Sequence, residues 1–160
     1  MYSRIAFTAF GVSGASYRSR FASTINATTP LETAAAMLAA ADNPLIITGT
    51  SGRNADAVGH LVALAESFAI PVVEFNRRYL CFPTDHPLHL GYAPEPFLDT
   101  ADVVLAIDSD VPWFPAVKNP PADGKVIHLG LDPFYSTYPI RSFPCDLAIR
   151  ADSSAAIPLL

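Results

Sequence analysis

An apolar run, Leu45-Ile46-Ile47-Thr48, closes on Gly49-Thr50-Ser51-Gly52-Arg53 and leads into a helical pattern. Backbone N–H groups converge at such a strand–turn–helix junction and the helix dipole favours negative charge, so these five residues could cradle a phosphate. The turn has neither GxGxxG spacing nor the lysine of a P-loop. The competing reading is an ordinary strand-to-helix turn in which Gly52 supplies a special backbone angle. Ser51 is placed as in a nucleophile elbow, but GxSxG is absent and no histidine stands in an obvious partner position, so a hydrolase is set aside.

Three other groups carry candidate chemistry. Asp85, His86 and His89 stand close together around Pro87. Without further histidine or cysteine ligands nearby, turn-forming or core histidines are a better reading than a metal. Asp108-Ser109-Asp110 ends a buried apolar run, where open α/β sheets bind their ligands. Two carboxylates there could bind hydroxyls or a cation, and they would repel a pyrophosphate. Asp132, two residues past the run Lys125–Gly130, stands where an acid could bind a ribose or merely shape the turn before Pro133. Val111-Pro112-Trp113-Phe114 reads as a packing or interface segment. No acid and base pair with convincing spacing emerges.

The elements that must position these residues are legible. Thr29-Pro30-Leu31-Glu32 is a helix start, with Thr29 as cap, Pro30 in the first turn and Glu32 at the capping-box position. That helix runs to about Asp42, where Asn43-Pro44 stops it. A second helix carries Val58, Leu61, Val62, Ala65 and Phe68 at helical spacing. Buried strands are expected at 45–49, 71–75, 102–107, 125–130 and 146–150, with a short helix within 96–101. Strands alternating with helices or helix-sized crossovers give a parallel α/β sheet with helices on both faces. Twelve of the 15 prolines lie from Pro83 onward, so the second half should be loop-rich.

At 160 residues the chain can bury one substantial core. It is 51% hydrophobic and 16% charged, which excludes a disordered chain. Arg4, Arg18 and Arg20 give the first 31 residues +3 with no acid, so the remainder carries −8 of the net −5. An acidic body argues against a nucleic-acid binder. No apolar run reaches the length of a membrane span. Cys81 and Cys145 form neither a disulfide framework nor a CxxC pair, which fits a reducing compartment such as the cytoplasm. Residues 1–28, rich in Ser, Thr, Ala and Arg, read as a linker or fragment start. The alternative is a transit peptide, which would direct the chain to the mitochondrion.

Six segments in order extend this reading: Asn43-Pro-Leu-Ile-Ile-Thr-Gly49, Leu61-Val-Ala-Leu-Ala-Glu66, Ile70-Pro-Val-Val, Asp85-His-Pro-Leu-His-Leu-Gly91, Ala101-Asp-Val-Val-Leu and Val126-Ile-His-Leu-Gly-Leu-Asp132-Pro133. The series resembles the central domain of the thiamine-diphosphate-dependent enzymes of the acetolactate synthase, 2-oxo acid decarboxylase and pyruvate oxidase group. Ser109-Asp110-Val111-Pro112-Trp113 is most similar to acetolactate-synthase-like members. The resemblance implies a Rossmann-like, three-layer domain over residues 29–160, with a mostly parallel sheet of about six strands. It also implies a parent that makes or breaks a carbon–carbon bond beside the carbonyl of a 2-oxo acid or related substrate. In that family the flanking domains hold thiamine diphosphate and Mg, through an activating glutamate and a Gly-Asp-Gly segment. Gly-Asp-Gly is absent here, so the resemblance implies a non-catalytic scaffold and interface domain, with the flanking domains as partners in a homo-oligomer.

Some members bind FAD, ADP or part of coenzyme A on this domain. The corresponding positions are Gly49, Thr50, Ser51, Gly52, Arg53, Asn76, Asp108 and Asp132. Here the chain departs from the pattern: the first loop has fewer glycines, Asp108 stands in place of a glycine, and Asn76-Arg77-Arg78-Tyr79 replaces a glycine-containing turn. A carboxylate near a flavin diphosphate is costly unless paired. The pocket therefore reads as vestigial, with an autonomous nucleotide-binding module as the alternative. Asp152-Ser153-Ser154 reads as a helix cap. The segment around Trp113 and the end Ile157-Pro-Leu-Leu160 are expected to present apolar surface to neighbouring domains, which would favour association of this domain alone.

Overall fold

The computed structural model describes residues 29–160; the linker or transit reading of residues 1–28 lies outside them. The first helix, α1 (Pro30–Ala39), begins as its sequence dictates. Glu32 N donates to Thr29 Oγ1 at 3.2 Å and Thr29 N donates to Glu32 Oε2 at 2.6 Å, a complete capping box. Thr29→Ala should therefore lower stability by about 1 kcal/mol, measured by urea denaturation. An unchanged midpoint would show that α1 is held by packing alone.

The order continues β1 (Pro44–Thr48), a 3-10 turn (Ser51–Arg53), α2 (Ala55–Phe68), β2 (Val72–Glu74), α3 (Glu95–Leu98), β3 (Val103–Ile107), β4 (Lys125–Gly130), β5 (Leu147–Arg150) and α4 (Ser153–Ala156). Five strands form one parallel sheet in the order β2-β1-β3-β4-β5. The resemblance implied about six. Beyond β2, the segment Leu88–Gly91 makes a single bridge: Val72 N donates to Leu88 O and Leu90 N donates to Val72 O, both at 2.8 Å. Gly91, at φ 90°, still accepts Glu74 N at 3.0 Å, but no second bridge forms, so the outer row stays one bridge long.

Strand side chains alternate between two apolar cores, as a sheet buried on both faces requires. Ile46, Leu105, Ile107, Ile127 and Leu129 share one core with α1, α2, α4 and Phe82. Leu45, Ile47, Val73, Val104 and Val126 share the other with Leu98, Ala101 and Trp113. Helices were expected on both faces. The second face instead has only the one-turn α3 plus loop segments, because the prolines between β2 and β4 interrupt helical hydrogen bonding there.

Trp113 corrects the expectation of a segment exposed for neighbours. It is fully buried inside this domain, edge-on to Phe143, with its indole N–H on Asn119 Oδ1 at 3.2 Å. A large ring with one polar atom is accommodated in a core once that atom finds a partner. Phe114 beside it stays about half exposed. At the C-terminal end, Asp152 caps α4 through Ser154 N at 2.9 Å, and Ile157 is buried in the first core rather than presented outward. Leu159 remains exposed.

Candidate functional site

Strand order reverses between β1 and β3, so their carboxyl ends should splay into a crevice. Here hydrogen bonds tie the two strand ends together. Asp108, immediately after β3, adopts φ 45°, and its carbonyl accepts both Thr50 N at 3.1 Å and Thr50 Oγ1 at 2.8 Å. Its carboxylate turns toward β4, where Oδ2 accepts the Ser153 hydroxyl at 2.5 Å. Oδ1 lies against Gly130, where a β-carbon would approach it to 2.8 Å. Burial raises the Asp108 pKa, while the Ser153 bond and the Arg53 charge act against that.

The turn after β1 spends its donors internally. The amides of Thr50, Arg53 and Asn54 donate to Asp108 O, Thr50 O and Ser51 O, and Gly52 N donates to Cys81 Sγ at 3.4 Å. Ser51 is buried and shares a 2.7 Å hydrogen bond with Thr48 Oγ1, so its hydroxyl is not presented as a nucleophile. Gly52 was expected to supply an unusual backbone angle, yet the only described glycine at positive φ is Gly91. What Gly52 supplies is the absence of a side chain: a β-carbon there would lie 1.9 Å from Leu80 O.

The segment pressed onto Gly52 is held by a residue that the sequence reading missed. Glu74, the last residue of β2, is completely buried. Its Oε1 accepts Cys81 N at 2.6 Å and Phe82 N at 3.2 Å, and its Oε2 receives Arg77 Nη1 at 3.2 Å and His89 Nε2 at 3.1 Å. The detectable signal was a carboxylate ending an otherwise apolar run, Pro71-Val-Val-Glu-Phe75. The two histidines considered for a metal are thereby placed: His89 on Glu74, and His86 on Glu66 at 3.3 Å. Among the described residues no group of three or more potential ligands comes together.

A cavity of about 320 Å³ opens at the carboxyl ends of β1, β3 and β4. Of the residues read from the sequence, Thr50, Arg53, Asp108, Ser109, Asp110 and Asp132 meet on its wall, while Gly49, Ser51, Gly52 and Asn76 do not line it. Gly49 uses its carbonyl to accept Arg78 N at 3.0 Å. Asn76, exposed at φ 50°, turns the chain out of β2. Asp132 Oδ2 accepts Ser136 N at 2.8 Å and Ser136 Oγ at 2.9 Å. Burial pushes the Asp132 pKa up, but these Ser136 bonds hold it below the usual carboxylate value. Arg78 and Tyr79, read from the sequence only as part of the turn that replaces a glycine-containing one, also line the wall, as do His128, Tyr135 and Tyr138, which the sequence reading did not offer as site residues.

Asp110 has partners at both oxygens: Oδ2 accepts the Tyr138 hydroxyl at 2.9 Å and lies 3.9 Å from Arg78, and Oδ1 accepts Val111 N. Behind it, Arg141 donates Nε to Asp110 O at 3.0 Å and Nη2 to His128 Nδ1 at 3.4 Å. His128 Nε2 donates to Pro144 O at 3.1 Å, which fixes the neutral tautomer. Burial, then the Arg141 charge, takes the His128 pKa from 6.5 down to about 4. The unfolded chain therefore binds this proton first on acidification. The stability His128 contributes is complete above about pH 6.5 and is lost as pH falls toward 4, on the order of 3 kcal/mol. An NMR titration of the His128 ring should show it neutral at pH 5.5; a midpoint near 6.5 would refute this.

Comparison with known proteins places this geometry. Residues 31–160 match the family model for the thiamine pyrophosphate enzyme central domain. The glyoxylate carboligase of Escherichia coli is 30% identical over 141 residues, covering 81% of this chain and 23% of that protein. A probable acetolactate synthase large subunit of Methanocaldococcus jannaschii is 30% identical over 118 residues, covering 64% and 19%. Among solved structures, benzoylformate decarboxylase from Polynucleobacter necessarius superposes with a TM-score of 0.66 at 23% identity, over 81% of this chain and 26% of that one. The chain thus spans under a quarter of the length of these curated relatives.

Proposed function

The chain belongs to the thiamine pyrophosphate enzyme central-domain family, and from that premise we propose that it is the scaffold and interface domain of a longer, acetolactate-synthase-like enzyme acting on 2-oxo acids or related carbonyl substrates. Thiamine diphosphate in such an enzyme supplies a carbanion-stabilising ylid. On this reading it is held, with its Mg ion, by domains flanking this one, in a homo-oligomer.

The observation that carries the reading is internal satisfaction of the strand ends. Thr50 is bonded to Asp108, Ser51 to Thr48, and Glu74 to four donors, so the polar groups there hold the fold together. A FAD or ADP diphosphate does not fit the turn, whose amides at 50 and 52–54 already have acceptors beside the carboxylate of Asp108. We therefore route no function of this domain through a bound nucleotide. Support for an interface comes from Leu80, Phe114, Val117, Leu131 and Ile140, all exposed on the loops that follow β2, β3 and β4. Exposed apolar side chains of this kind favour a covering partner. Two free thiols, Cys81 and Cys145, suit a cytoplasmic location.

Sequencing the coding region outward in both directions tests the proposal. A thiamine-diphosphate-binding domain on each side is expected. Its absence on both sides, and from any co-purifying chain, would overturn the scaffold reading.

A further inference from the structure

Parallel strands are usually joined by a helical crossover, but β4 and β5 are joined by irregular chain, residues 131–145. This strap supplies Leu131, Asp132, Pro133, Tyr135 and Tyr138 to the cavity wall. Within it only Pro133 is buried, and only Phe143 packs against an apolar core. Among the described residues, no backbone–backbone hydrogen bond ties 131–145 to the rest of the domain. The two that it makes, Tyr135 N to Asp132 O and Tyr138 N to Tyr135 O, stay inside it. A segment with so few buried contacts opens locally at a lower cost than the sheet beneath it.

Arg141 holds the strap down. Its Nε donates to Asp110 O at 3.0 Å and its Nη2 to His128 Nδ1 at 3.4 Å. The guanidinium also lies 5.0 Å from the Tyr135 ring centroid and 4.9 Å from that of Phe143. Two further ties are Tyr138 on Asp110 Oδ2 at 2.9 Å and His128 Nε2 on Pro144 O at 3.1 Å. The Arg141 bond to His128 needs the bare Nδ1 of a neutral imidazole. A proton on Nδ1 removes that acceptor and sets one cation against another. Abreast of His128 in the sheet are Ala106 of β3 and Ala148 of β5, neither of them charged. Arg141 is the charge that acts on the ring, while Tyr135, Cys145, Asp110 and Asp132 act on Arg141.

We propose that residues 131–145 form a lid latched by Arg141, and that protonation of His128 releases it, opening the cavity while the sheet stays folded. Once the strap lifts, both cations reach water, so opening takes up the proton. Burial and the Arg141 charge hold the His128 pKa at about 4 in the closed form, and it returns toward 6.5 in the open form. The open form therefore binds the proton more tightly. Opening gains at most about tenfold for each pH unit of acidification between those two values. This goes beyond the scaffold reading and stands or falls separately from it, because it concerns a motion within this domain and not the reaction of the parent.

The two free cysteines report the motion: Cys145 ends the strap, and Cys81 is fully buried in the body of the domain. The full chain is labelled with dithiodipyridine, and each rate is corrected against free cysteine at the same pH. Cys145 should label at least about a hundredfold faster than Cys81 at every pH, because Cys81 waits for global unfolding. Between pH 7 and pH 5 the corrected Cys145 rate should rise by about tenfold or more. Arg141→Gln should raise that rate at pH 7 by about tenfold through loss of the charged hydrogen bonds. His128→Gln, whose amide can still donate to Pro144 O, should abolish the rise in acid. The proposal is overturned if Cys145 labels in step with Cys81 or if its corrected rate does not rise in acid. It is equally overturned if His128→Gln keeps the rise, or if Arg141→Gln leaves the rate at pH 7 unchanged. Should either variant fail to fold, the two readings on the unaltered chain still decide.

Discussion

Gly52→Ala should cost about 3 kcal/mol or more, because the new β-carbon would lie 1.9 Å from the Leu80 carbonyl oxygen and 2.6 Å from its carbon. The obstacle is backbone, so a side-chain rotation cannot relieve it. Either the turn after β1 or the segment 79–82 must move. The second is fixed by Glu74 and the first by Thr50 on Asp108. Gly59→Ala is the matched control. Gly59 lies exposed within α2, and a β-carbon there meets nothing within 4 Å. That substitution should stabilise by about 0.5–1 kcal/mol through helix propensity alone. Guanidinium denaturation of both variants decides the matter, and a Gly52→Ala protein within 1 kcal/mol of the parent would contradict the close-packed turn.

Glu74→Ala is the second large effect expected, about 3–5 kcal/mol. Removing the carboxylate strands two buried amides, at Cys81 and Phe82, and unpairs His89 and Arg77. Each unsatisfied buried donor carries its own desolvation cost. Glu74→Gln should cost less, since an amide oxygen can still accept from the two amides. Hydrogen exchange at Cys81 and Phe82 should accelerate strongly in the alanine variant and only modestly in the glutamine one. Equal exchange in all three proteins would show that the segment is held by its packing, with Phe82 as anchor.

The fold was legible where local chemistry and periodicity agree. Thr29-Pro-Leu-Glu specified the cap of α1, and the apolar runs around 45, 72, 103, 126 and 147 became the five strands in parallel order. The second face was less legible, because its cover is irregular chain whose burial depends on distant partners. Nothing local in Val111-Pro-Trp-Phe114 says that Trp113 will meet Phe143. The site divides in the same way. Asp108 and Asp132 follow strands, so position along the sequence found them. Gly52 was noticed for the wrong property, since the approach of Leu80 is a tertiary fact. Arg78, Tyr135 and Tyr138 reach the cavity through loops whose path sequence periodicity does not encode, while His128 comes from within β4.

The central claim is that this domain scaffolds a thiamine-diphosphate enzyme and leaves the reaction to domains beside it. Its most direct test is to purify the 160-residue chain, add thiamine diphosphate and Mg, and assay pyruvate for both carbon dioxide release and acetolactate formation, with calorimetric titration of the cofactor in parallel. The account predicts no turnover and no heat of cofactor binding from this chain, and activity when the flanking domains are present. Saturable thiamine diphosphate binding with decarboxylation of pyruvate by this chain alone would contradict it.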